Sequence, residues 1–90
     1  MNRLPITAGM IVTSRMGRDQ GRKFVVMQEV DDDFVLVADG DLRTVDRLKK
    51  KRRKHLDATH AVAEELLEKL RTGAAIENHE IRSWLKREEK

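Results

Sequence analysis

The 90-residue chain contains no cysteine, one proline, five glycines and three aromatic side chains, Phe24, Phe34 and Trp84. Each scarcity removes a class of explanation. Without cysteine there is no disulfide framework and no thiolate metal site, which fits a reducing compartment. No apolar run approaches the roughly 20 residues of a membrane helix. The opening stretch "MNRLPITAGMIV" lacks the long apolar core of a signal peptide, so a cytoplasmic protein without a membrane partner is expected. The three histidines, His55, His60 and His79, match no zinc spacing. There is no His-Glu-x-x-His, nucleophile elbow or glycine-rich nucleotide loop, and Ser14 and Ser83 have no evident base partner. The acidic turns Asp31–Asp33 and Asp39–Asp41 lack the spaced carboxylates and closing Glu of a calcium loop. The expectation is a protein that is not an enzyme and holds neither cofactor nor metal.

What the chain does have is charge of both signs, with 19 Lys and Arg against 16 Asp and Glu. The distribution is more informative than the net value of +3. Residues 1–56 hold 13 basic and 8 acidic side chains, whereas residues 57–90 hold 6 and 8. A basic first half joined to a mildly acidic second half predicts a polyanion-binding face on the first.

The first half has the texture of β structure. "MIVTS" (10–14), "RKFVVMQEV" (22–30) and "FVLVA" (34–38) are short and rich in β-branched residues. They are nearly continuous in apolar residues, which predicts strands at least partly covered on both faces. "DDD" (31–33) and "DGD" (39–41) are turn signals, and Thr44–Val45 suggests a brief further strand before the basic run 47–56. Short strands punctuated about every ten residues predict a mainly β protein, an antiparallel β-barrel or sandwich, with an α tail. From Thr59 the period changes. Val62, Ala63, Leu66, Leu67 and Leu70 form the stripe of an amphipathic helix, with Thr59 or Asp57 as its N-cap and Gly73 as its C-cap. A second helix is expected from Asn78, carrying Ile81, Trp84 and Leu85. The division expected is a barrel over 8–57 and a C-terminal helical hairpin over 58–90. Phe24 and Phe34 are expected in the core, and Trp84 in helix packing.

One stretch stands apart. "RMGRDQGRKF" (15–24) sets Gly17 and Gly21 among Arg15, Arg18, Arg22 and Lys23. The spacing fits neither a P-loop nor a dinucleotide fingerprint, and a membrane G-x-x-x-G pair needs apolar neighbours. Two explanations remain: glycines that turn the chain between strands, or glycines that let backbone and cations approach a phosphate. The run "KKKRRK" (49–54) supplies six consecutive cations that repel one another and are best held together by a counter-charge.

The block "GMIVTSRMGRDQGRKFVVMQEV" (9–30), with Gly9, a strand, Gly17, charged residues, Gly21 and a valine-rich strand, resembles the KOW motif of small SH3-like barrel domains. "DDDFVLVADGDLRTVDRLKKKRRKHL" continues the similarity to the KOW-class large-subunit ribosomal proteins of archaea and eukaryotes and their short Gram-positive bacterial relatives. The resemblance covers about residues 8–60 and implies an SH3-like barrel binding structured RNA, in particular ribosomal RNA. It points to Arg15, Gly17, Arg18, Gly21, Arg22 and Lys23 as RNA contacts, and the basic segment adds Arg47, Lys49, Lys50, Lys51, Arg52, Arg53 and Lys54. Asp19 departs from an all-cationic loop. With so few aromatics, recognition of shape and backbone is expected rather than base stacking. The helical tail is expected to stabilise the barrel or to dock on ribosomal or other proteins. Two alternatives stay open: a protein-interaction adaptor with an apolar groove at Phe34 or Trp84, and nonspecific DNA binding.

Overall fold

The computed structural model describes residues 5–88. The strands are β1 (Met10–Ser14), β2 (Lys23–Glu29), β3 (Phe34–Ala38), β4 (Lys49–Arg52) and β5 (Leu56–Val62), followed by helices α1 (Glu64–Thr72) and α2 (Asn78–Arg87). The strands form one antiparallel sheet in the order β4-β3-β2-β1-β5. The strand ladder is not closed: β4 and β5 are its two ends. Among the described residues no helix is long and apolar enough to cross a membrane.

The continuous apolar texture of the strands has its expected consequence, because both faces are buried. On one face Val12, Phe24, Val26, Val35, Val37 and Leu56 form a cluster joined by Ile6. Among the described residues no helix packs on this face. Register shifts between Met10 and Val12 and between Val26 and Gln28 mark bulges, which bend strands. On the other face Ile11, Val25 and Ala38 pack against Ala63, Leu66, Ile81, Trp84 and Leu85. Each of the larger aliphatic and aromatic side chains buried there contributes about 1.5–3 kcal/mol. The helices thus share a core with the sheet.

Several local expectations are corrected. Residues 59–62 belong to β5 rather than to a helix. Thr59 does not cap; its hydroxyl donates to the Ile11 carbonyl at 2.8 Å and fastens β5 to β1. Nor does Asp57, which lies within β5. β5 therefore runs through the expected boundary at 57/58. At the bulge His60 takes φ +70°, a left-handed conformation that His tolerates better than most side chains. α1 begins after Ala63, with no side-chain cap, and ends at Gly73 in the left-handed conformation. Leu67, placed on the buried stripe by periodicity, is exposed. α2 is capped by Glu77 and Glu80 in a reciprocal capping box instead of by Asn78. The Asn78 carboxamide oxygen instead accepts the Val45 N–H at 2.8 Å, tying the β3–β4 loop to the helix. Thr44–Val45 is turn, not strand, and the basic run forms β4 as far as Arg52 and then a 3-10 turn, Arg53–His55.

Gly40 shows why α2 docks where it does. It has φ +77°, and a Cβ there would lie 2.5 Å from the Asn78 carbonyl oxygen and 3.0 Å from Arg82 Cγ. Only glycine lets the loop touch the helix this closely. The Arg82 guanidinium donates to the Gly40 carbonyl at 2.5 Å. Trp84 is buried, and its indole N–H donates to the Glu65 carboxylate at 2.9 Å. Arg87 adds a second bond to that carboxylate; together the Arg87 and Trp84 donors hold Glu65 below the usual carboxylate range. Glu80 is also held low, first by the Lys69 ammonium and then by the Glu77 amide.

Candidate nucleic-acid interface

The loop between β1 and β2 is built around a 3-10 turn, Gly17–Asp19. Gly17 and Gly21 have φ +78° and +87°, and a Cβ on either would meet no atom within 4 Å. Turn geometry accounts for both glycines, and no protein atom crowds them. Three loop amides are bonded internally: Gln20 to the Gly17 carbonyl (3.1 Å), Gly21 to Ser14 (2.9 Å) and Arg22 to Asp19 (2.8 Å). Those three N–H groups are closed to an outside anion.

The four cations of the loop have different commitments. Arg15 is exposed and reaches the Lys54 carbonyl at 3.4 Å and the Asp57 carboxylate at 3.5 Å. Arg18 is exposed and, among the described residues, makes no side-chain hydrogen bond or ion pair. Arg22 donates to Asp39 Oδ2 at 2.8 Å. The Asp39 side chain is only 4% exposed, and its other oxygen accepts the Asp41 and Arg43 amides. Arg22 therefore satisfies a buried carboxylate that shapes the β3–β4 loop. Lys23 donates to the Glu88 carbonyl at 2.9 Å.

The basic run is divided by the two-residue period of a strand. Lys49 and Lys51 stand opposite Val37 and Val35, on the face of the Phe24 cluster, while Lys50 and Arg52 stand opposite Leu36 and Phe34, on the other. The Lys51 side chain is 9% exposed; its ammonium donates to Ser14 Oγ at 2.9 Å, pairs with Asp19 at 3.4 Å and lies over the Phe24 ring. This explains the carboxylate in the loop: Asp19 receives Lys51 and ties the loop to β4. Arg53 is likewise internal, donating to the carbonyls of Asp31 (2.9 Å) and Ile6 (2.7 Å) and to Glu29 (3.2 Å). Lys50 and Arg52 lie over the Phe34 ring at 4.6 and 4.9 Å from its centroid. Phe34, expected in the core, belongs to neither core cluster; it is half-buried beneath these two cations. Lys54 is exposed, and Arg47 lies exposed in the β3–β4 loop.

Loop and run meet again beyond the Lys51–Asp19 pair. The Arg15 amide donates to the His55 carbonyl at 2.8 Å, beside the Arg15–Lys54 contact. The half-buried His55 ring is held below the usual imidazole range by burial, then by the charges of Lys54, Arg52, Lys51 and Arg15. Cations from both segments thus act on one point.

Two open clefts are lined by cations of these segments. One, of about 410 Å³, lies between Pro5 and Ile6, Asp32 and Asp33, and Arg52–Lys54. Its acidic turn is ordered by the Asp31 carboxylate, which accepts the Asp33 and Phe34 amides, both at 2.8 Å, and is thereby held low. The other, of about 700 Å³, lies between the Gly17–Gly21 loop and α2. Arg18, Arg22 and Lys23 form one wall and Arg82 and Lys86 the other. The two helical cations were not among the sequence candidates. Their i, i+4 spacing, which places them on one helix face, was the available signal. Among the described residues no group of three His, Asp or Glu side chains is arranged to hold a metal ion. No known family profile matches this chain, and no curated protein is significantly similar to it.

Proposed function

We propose that this chain is a non-enzymatic, ribosomal-protein-like KOW domain that binds structured RNA, ribosomal RNA in particular, through phosphate contacts. The observation that carries the reading is the junction at His55, where Arg15 of the Gly/Arg loop stands beside Lys54 of the basic run. Such a cluster suits a phosphate backbone, because Lys and Arg displace condensed counterions and Arg adds bidentate hydrogen bonds. The outward cations Arg15, Arg18, Lys50, Arg52 and Lys54 are the contact set, while Lys51 and Arg53 hold the scaffold.

The same reading takes the sheet as an SH3-like barrel. Two features support it: the buried face without a covering helix, and the single 3-10 turn, Arg53–His55, that joins β4 directly to β5. The adaptor reading finds less support. Trp84 is buried and Phe34 lies under two cations, so neither lines an exposed apolar groove. The test is binding of a labelled A-form RNA hairpin and of a DNA duplex of the same sequence at two salt concentrations. The reading expects RNA binding that is preferred over DNA and weakens steeply with salt; absent binding at low salt, or binding indifferent to salt, would refute it.

A further inference from the structure

We infer that the helical tail is a wall of the RNA site: a backbone phosphate lies in the cleft between the Gly17–Gly21 loop and α2, held by Arg18 on one side and Arg82 and Lys86 on the other. This deepens the RNA-binding reading and rests on it. The cleft is lined by five cations, Arg18, Arg22, Lys23, Arg82 and Lys86, and three carboxylates, Asp19, Asp39 and Asp41. Two of those carboxylates are already engaged, Asp19 by Lys51 and Asp39 by Arg22. Arg82 is oriented by its bond to the Gly40 carbonyl, and the close contact at Gly40 fixes that part of the helix against the sheet. Arg18 and Lys86, in contrast, have no side-chain hydrogen bond or ion pair among the described residues, so their charges remain to be met.

The lining identifies the ligand. Leu85 is the one large apolar side chain in it, and no aromatic is present. A nucleotide pocket would offer apolar or aromatic walls to the base. This cleft offers five cations against three carboxylates, two of them already paired, in an open trough, which suits a phosphodiester passing through. Guanidinium groups on both walls favour phosphate geometry.

Lys86→Gln and Arg18→Gln in the full chain test this directly. Both side chains are exposed, so thermal unfolding should match that of the native protein. Each substitution should weaken binding and lower the slope of log affinity against log salt for an A-form RNA hairpin, and the double variant should lower it by up to about 0.7–0.9, the value for one phosphate no longer neutralised. Poly-glutamate should compete poorly. A native slope in Lys86→Gln, with binding still weakened by Arg15→Gln/Lys54→Gln, would overturn the inference and leave RNA binding standing. Poly-glutamate competing as well as RNA would overturn it in favour of an acidic peptide. If the native chain binds no RNA, the functional reading fails and this inference with it.

Discussion

The two basic segments look alike as strings of cations and are used differently. In the loop 15–23, most of the charge lies outside the sheet, and the chain reverses through glycines that leave open space around it. In the run 49–54, strand geometry sends alternate residues to opposite faces, and the turn that follows pulls Arg53 inward. Lys51 ends nearly enclosed against Ser14 and Asp19, while Lys50 and Arg52 lie over Phe34. A run of cations is therefore not a surface by itself. Half of its charges can be fasteners, and the local partners decide which. There is also a plain structural use for Lys50 and Arg52, because charged side chains on an end strand discourage pairing with another sheet.

The division can be broken most severely at its inward members. Arg53→Ala removes three hydrogen bonds joining the turn to the N-terminal segment, the Asp31 carbonyl and Glu29; Lys51→Ala leaves Ser14 and Asp19 without their shared partner. Each should lower stability by about 2–3 kcal/mol, on the scale of hydrogen bonds to charged groups, measured by urea unfolding. Lys54→Ala, on the same run, should change it by less than about 0.5 kcal/mol. Equal effects would end the distinction between fastener and surface charge.

Within the loop the contrast is between Arg22 and Arg18. Arg22→Glu sets a second carboxylate against the enclosed Asp39, and should cost about 2 kcal/mol after allowance for the partly exposed arginine. Arg18→Glu faces no such partner and should leave the unfolding midpoint nearly unchanged while weakening RNA binding. A collapse of the fold in Arg18→Glu would show that the loop is architectural throughout.

The smallest effect is also a local probe. His55 is disfavoured as a cation by burial and by its basic neighbours, so its NMR titration midpoint should fall below 6.5. Because the unfolded chain then binds the proton more readily, stability should decline as pH falls from 6.5 through the folded midpoint. Lys54→Gln should raise the midpoint, and so should RNA, by offsetting the surrounding positive charge. A midpoint that ignores both would separate His55 from the basic cluster.

How far the molecule is legible from its sequence follows the range of the interactions. β1 and β3 stand where "MIVTS" and "FVLVA" stand, because β-branched apolar runs between turn residues carry their own signal. Gly73 likewise announces the end of α1. β5 is illegible for the opposite reason: its last residues, Ala61 and Val62, run directly into the periodic stripe of α1, and only pairing with β1 separates them. β4 is hidden because lysine and arginine are weak indicators of strand; its identity comes from β3. Which of its cations turn inward depends on that register. The cations of α2 could be placed on one helix face by spacing, but their meeting with Arg18 depends on α2 docking against the loop at Gly40, far away in sequence.

The most direct test of the account is the salt dependence of RNA-hairpin binding for Arg15→Gln/Lys54→Gln, the pair at the junction. If loop and run form one phosphate-binding footprint, the log–log slope falls by about 1.4–1.8 relative to the native chain, as two phosphates go unneutralised, with unfolding little altered. A double variant that keeps the native affinity and the native slope would contradict it.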